Sequence, residues 1–351
     1  MLRLLLSFLV LVSFSVVSPA AEEPSSPSQP RSTVYFERNS EALENYQPNP
    51  GVIRKMVEDL VIAVTGQPNA ESAWKSLFKP GDRVGIKISA TGGRYFAVRK
   101  PVVDAVAAGL RQAGVPAANI IVWDRADLQA AGYHTSGMDY QLRRIESIAD
   151  YDPKAVIVSP LLGKLIWGDV RFLKDDTNIG SQLIRDPESV SSESHLCKIM
   201  SKDVTKIINI PVMRGSESCG IAGCFYNMTV PNLDNWRRFV TGAAVGGTTL
   251  AELYLDPKIS KKIVLTFMDG LIAQYAGESK YEPNYAFHFN TLYASKDPVA
   301  LDATALREIE KWRKQAKLPD TLKSALYLEA AEAMGLGNYA ADKIDLKEGG
   351  R

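Results

Sequence analysis

Apolar and polar positions along this chain follow two periods, and the switches between them separate strands from helices. Residues 83–88, R-V-G-I-K-I, form a mostly apolar run interrupted by Lys87 and read as a buried strand. A Gly-containing loop, A-T-G-G-R, follows it. Pro101 then sits in the first turn of a helix whose apolar positions Val103, Val106, Ala107 and Leu110 share one face, and Gly114 stops it. Residues 119–123 are a second strand, closing on Asp124-Arg125. Strand, helix and strand within about 40 residues imply a right-handed crossover and parallel pairing.

The same pattern extends both ways. Order is expected to begin with a short β-type run at 34–36. Ile53, Met56, Val57, Leu60 and Val64 recur at helical spacing before Gly66, and a short helix near 74–78 ends at Pro80-Gly81. Residues 155–159 read as an apolar strand, and 166–172 as a half-solvated strand with Ile166, Val170 and Phe172 on one face. A polar excursion over 173–192 should lead to a helix near 193–201. From residue 204 a buried strand then enters the loop G-S-E-S-C-G-I-A-G-C, with Arg214 ahead of it and Asn227 behind. T-T-L-A-E-L-Y is a helix with a Thr N-cap, 263–268 a strand ending at Asp269-Gly270, and a short run near Leu292 precedes a strong helix. That helix begins at D-P-V-A-L-D and carries Leu301, Ala305, Ile309 and Trp312 on one face; a last helix, 321–334, stops at Gly335.

Neither an internal repeat nor a Pro/Gly/Ser linker divides residues 34–348. The expected fold is therefore a single α/β domain: a mostly parallel, Rossmann-like layered sheet with helices on both faces.

Composition adds an address. Residues 1–20 combine one basic residue, Arg3, with an apolar run from Leu4 to Val17 and small residues Ser18 and Ala20, the layout of a cleavable signal peptide. Residues 21–33 read as a Pro/Ser-rich leader. An exported protein, periplasmic or secreted, is expected, with no stable membrane insertion after cleavage. Removing residues 1–20 removes Arg3 alone among the charges, leaving a formally neutral chain. Neutrality without a basic block excludes electrostatic binding of nucleic acid. Apolar content of 46% and charged content of 23% are those of an ordinary globular protein, long enough for a large core. Three cysteines are too few for a disulfide scaffold or for the four thiolates of an iron–sulfur cluster within this chain.

Several segments together resemble the uncharacterised bacterial and archaeal family known as domain of unknown function family 362. They are V-G-I-K-I at 84–88, G-V-P-A-A-N-I-I-V-W-D-R at 114–125, I-I-N-I-P-V at 207–212, G-I-A-G-C-F-Y-N at 220–227, D-P-V-A-L-D at 297–302 and G-L-G-N-Y at 335–339. The resemblance implies an α/β fold and, in some relatives, an association with iron–sulfur modules; it implies no particular reaction. Relatives carry Lys and His in the loop where this chain has Arg214 and no histidine, which lowers the loop's capacity for proton transfer.

Candidate chemistry clusters at predicted strand ends. In a doubly wound sheet ligands bind beyond the carboxyl ends of the parallel strands, and Lys87, Asp124, Arg214 and Asp269 all fall there. Lys87, Arg214 and Asn227 are the expected holders of a small anionic ligand, with Asp124 and Asp302 orienting them. Lys87 and Asp124 are equally compatible with a structural ion pair. Asp269, Asp297 and Asp302 are the candidate donors for a divalent cation, although Asp297 before Pro298 also reads as a helix N-cap. Cys219 and Cys224 are close enough to form a disulfide, and a thiol-based redox role or plain core packing remain as alternatives. A non-catalytic scaffold with a protein partner is the third alternative.

Overall fold

In the computed structural model, residues 30–134, 139–158, 193–239, 247–277 and 280–350 are described. The expected signal peptide, most of the leader and the strand and excursion over 166–192 lie outside them. Among the described residues, strands and helices follow one another in an α/β order. They are β1 (Ser32–Arg38), β2 (Leu43–Glu44), β3 (Gln47–Pro48), helix α1 (Pro50–Thr65), α2 (Ala70–Leu77), β4 (Val84–Ile88), α3 (Lys100–Gln112), β5 (Ile120–Asp124), β6 (Gln141–Arg144) and β7 (Tyr151–Ile157). The second half adds β8 (Ser194–Cys197), β9 (Lys206–Ile210), β10 (Val212–Ser216), β11 (Gly220–Ile221) and the short α4 (Cys224–Met228). It closes with α5 (Thr249–Leu255), β12 (Ile263–Gln274), β13 (Ala286–Ser295), α6 (Pro298–Gln315), α7 (Leu326–Ala333) and β14 (Ile344–Glu348).

The main sheet runs β14-β1-β13-β12-β9-β4-β5-β6, with β10 and β11 attached beside β12. β12, β9, β4, β5 and β6 are mutually parallel, while β13 is antiparallel to both β12 and β1. This is the mixed, mostly parallel α/β sheet that the periodicity predicts. From β4 the chain proceeds outward through β5 to β6, then returns to place β9 on the other side of β4. The strand order therefore reverses between β4 and β9, and the crevice of a doubly wound sheet opens at such a reversal.

Alternation along β4 assigns its faces. Val84, Ile86 and Ile88 pack in one apolar cluster with α1, α2 and α3, whereas Trp123, Ile207 and the residues of α4–α7 form the other. Gly85 and Lys87 point to this second side. A Cβ at Gly85 would come within 2.5 Å of the Trp123 ring, so only glycine lets that indole lie flat on β4.

Three expectations change. Residues 194–197 are a strand, not a helix: β8 pairs with β7 in a separate two-stranded ladder, and a π-turn over Ile199–Asp203 follows. β12 does not stop at Asp269, because β13 pairs along it through a bulge near Gly270 and carries the ladder to Gln274. A final strand, β14, adds to β1 in parallel. No helix among the described residues is long and apolar enough to cross a membrane.

Candidate functional site

Lys87 and Asn209 are directly paired residues on β4 and β9, at the reversal of strand order. Both are fully buried. The Lys87 ammonium donates to Ile88 O at 2.6 Å, Asp124 Oδ1 at 3.1 Å and Asn227 Oδ1 at 3.0 Å, so its three donors meet three acceptors. Burial pushes the Lys87 pKa down, and the Asp124 carboxylate opposes that. Asp124, the last residue of β5, also accepts from the amides of Ala90 and Arg125, each at 2.6 Å. A buried pair without such extra donors would be a net cost to the fold.

Lys87 fixes the orientation of the Asn227 side-chain amide and, through it, that of Asn209. A lysine has donors only, so Asn227 must turn Oδ1 toward it and Nδ2 toward Asn209 Oδ1, 2.8 Å away. Asn209 Nδ2 then faces Cys224 O at 3.0 Å. Asn232 extends the network, donating to Asn227 O at 3.1 Å and accepting from Trp123 Nε1 at 3.0 Å.

Asn227 reaches this position on α4, which is held from outside. Gly223 at its N-cap has no side chain to offer; Asp302 of α6 replaces one, accepting from Cys224 N at 2.6 Å, Phe225 N at 3.2 Å and Tyr327 OH at 3.2 Å. A carboxylate at a helix N-terminus meets unpaired amides. Burial nevertheless raises the Asp302 carboxyl to about 6, against the pull of those donors. A Cβ at Gly223 would lie 2.1 Å from Asp302 Oδ1, so the approach requires glycine.

The structure thus brings together Lys87, Asp124 and Asn227, and joins Asp302 to them through α4. Arg214 is buried in β10 opposite Gln274 of β12. The aspartates proposed for a cation do not converge. Asp269 lies inside β12 and accepts from Arg99 N at 2.7 Å and Leu271 N at 3.0 Å; burial raises its pKa while Arg99 lowers it. Asp297 is the N-cap of α6, accepting from Ala300 N at 2.9 Å and Asn338 N at 2.8 Å. Each carboxylate is spent on backbone donors in its own place, and among the described residues no group of three or more acidic, His or Cys side chains has metal-binding geometry.

The Cys219–Cys224 disulfide is not formed. All three cysteines are buried free thiols. Cys219 Sγ points to Ile221 O at 3.3 Å, while Cys224 opens α4 against Asp302. Burial pushes the Cys197 thiol up to about 12 and raises Cys224 well above its ordinary value, with Asp302 adding to the effect, so both stay protonated near neutrality.

Asn209 and Asn232 are essential members that the sequence reading passed over. Asn209 carried a signal, since an amide inside I-I-N-I must find partners or cost a few kcal/mol, roughly 1–3 by protein measurements. His195, which has no metal-binding spacing in the sequence, pairs with Asp234. Asp234 is 1% exposed and His195 12%; the Asp234 carboxylate accepts from His195 N and lies 2.7 Å from His195 Nδ1, and Nε2 is 3.6 Å from Glu193. They are 39 residues apart in sequence, and a chance β-bridge beside them, Leu196 with Leu233, is what aligns them. Nearby, Arg125 stacks on the Trp236 ring at 3.9 Å. His288, placed beside aromatic residues in F-H-F-N, is exposed and meets Tyr46 edge-on.

No curated protein matches the chain. A solved structure of a protein from Thermotoga maritima is similar over 83% of this chain at 11% identity and a TM-score of 0.41, and the chain spans 60% of that protein's length. Residues 189–307, which contain Asn209, Asn227 and Asp302, match the model of a family described as domain of unknown function (DUF362), and the chain resembles that family over this stretch.

Proposed function

We propose that the protein binds a small anionic ligand at the carboxyl ends of β4, β5 and β9, with Lys87 as the charge that attracts it. The observation that carries this reading is the position of Asn227 Oδ1, 3.0 Å from Lys87 at the reversal of strand order. An anionic oxygen in that place would be a stronger acceptor for a buried ammonium than an amide oxygen. Ligand entry would require α4 to withdraw Asn227, with Asp124 and Asn209 remaining as fixed partners of Lys87 and of the ligand. Arg214, in β10 opposite Gln274, is not used in this reading. Export rests on the layout of residues 1–20.

A thiol-based redox role has less support, because burial keeps Cys197 and Cys224 protonated. The anion reading is tested by thermal unfolding in phosphate, sulfate and a small dicarboxylate. Asn227→Asp places a carboxylate where the ligand oxygen would go. The wild-type protein should gain melting temperature with at least one of these anions and the variant should not. Equal shifts in both, or none in the wild type, would remove the site.

A further inference from the structure

Four separate segments deliver aromatic side chains to one place on the carboxyl side of the sheet. Tyr46 comes from the turn between β2 and β3, Tyr95 from the one-turn helix Gly93–Phe96 after β4, Tyr281 from the loop after β12 and His288 from β13. Tyr95 and Tyr281 stack at 5.7 Å with 25° between their planes, and Tyr46 stands edge-on to Tyr95 at 6.3 Å and to His288 at 4.6 Å. Tyr281 donates its phenol proton to Tyr46 OH at 3.1 Å. Tyr95 is 50% exposed and Tyr46 41%, so two rings that could have been buried are presented to solvent.

The backbone favours the arrangement at a cost. Tyr46 has φ +63 and its neighbour Asn45 φ +47, both left-handed, and a bulky side chain rarely adopts that conformation. Glycine would serve the hairpin turn better. A strained tyrosine whose ring meets two others and whose hydroxyl meets a third residue is held for its side chain.

We propose that this cluster is a saccharide-binding platform, distinct from the Lys87 crevice and independent of it. Tyr95 and Tyr46 present exposed aromatic surface, and all three tyrosines carry hydroxyls at their edges, a match for the alternating C–H faces and hydroxyls of a pyranose. Arg94 is exposed and its guanidinium lies over the Tyr95 ring, 5.5 Å from the centroid, where it adds donors beside the hydroxyls. Arg99, buried beneath, holds Arg94 O at 3.1 Å and Ala97 O at 3.3 Å, and also bonds Tyr95 O, which fixes the turn that presents Tyr95. Two guanidinium groups at the cluster argue against a cationic ligand, which an uncharged cage of rings would favour. The hydroxyl-bearing rim argues against a purely apolar peptide face.

The test is isothermal titration of the full chain with cellohexaose, chitohexaose and maltohexaose, and with adenosine as a flat non-sugar control. Tyr46→Gly relieves the left-handed backbone while deleting the ring, so it should fold at least as stably as the wild type; Tyr95→Ala removes the stacked ring. Saturable millimolar-range binding of one oligosaccharide, weakened at least tenfold in Tyr46→Gly with its melting temperature retained, is the expected result. Absence of binding to all three sugars overturns the proposal. So does binding unchanged in Tyr46→Gly, or binding of adenosine in preference to the sugars. These outcomes leave the phosphate response of the Lys87 site unaffected, so failure of one reading does not imply failure of the other.

Discussion

Asn227 Oδ1 and Lys87 Nζ are 3.0 Å apart, and through that contact a five-residue helix closes the place where strand order reverses. The contact ties α4 to β4, and Asn227 Nδ2 ties it to β9.

Asn227→Ala should therefore be disproportionately destabilising for a small surface-to-volume change. It leaves the Lys87 ammonium one acceptor short and Asn209 Oδ1 without its donor, and buried groups stripped of a partner cost about 1–3 kcal/mol each. Urea unfolding should show a loss of roughly 2–4 kcal/mol. A loss no larger than that of a typical exposed substitution would mean that the network contributes little.

Gly223→Ala tests the closure from the other side. Its Cβ would stand 2.1 Å from Asp302 Oδ1 and 3.2 Å from Met268 Cε. The carboxylate must move off the first amides of α4, and the expected cost is about 1–3 kcal/mol. Retained stability would show that α4 can shift as a body.

The third prediction concerns pH. An acid whose native pKa is raised binds more protons folded than unfolded between the two values, so stability falls as pH rises through that window. For Asp302 the window runs from 3.8 to about 6. Its contribution is fully present below the lower value and is lost by the upper one, a change on the order of 3 kcal/mol. Asp269, also raised by burial, slopes the same way. Asp302→Asn cannot titrate and should flatten the unfolding free energy over this range relative to wild type; an unchanged slope would show that Asp302 ionises at its ordinary pKa.

Thiol chemistry supplies a fourth. The chain has three cysteines, all free and buried. Ellman's reagent should find essentially no fast thiol in the native protein and all three after unfolding in guanidinium without reductant. Recovery of a single thiol would restore the Cys219–Cys224 disulfide.

Much of this arrangement was legible in the sequence because it rests on local signals. The strand of V-G-I-K-I, the helix opened by Pro101 and the carboxylate closing I-I-V-W-D placed Lys87 beside Asp124 correctly. Asn227 was also assigned to the same crevice. Arg214 was not separable by pattern: it follows I-P-V-M as Lys87 follows V-G-I, yet Pro211 breaks the strand and β10 moves over to pair with β12. Asp269 was placed at a strand end because Gly270 reads as a stop, whereas a bulge absorbs that glycine and the pairing with β13 continues. Asp302 was expected to face the crevice and instead caps α4, a role that depends on two helices meeting far apart in sequence. His195 and Asp234 depend on a single β-bridge, which no periodicity announces.

The most direct test of the central claim is a crystal structure of the full chain grown in phosphate, at a pH where Lys87 is charged. The account predicts an anion oxygen within hydrogen-bonding distance of Lys87 Nζ, with Asn227 drawn away from it and Asp124 unmoved. Lys87 still bonded to Asn227, with no anion beyond the ends of β4 and β9, would contradict it.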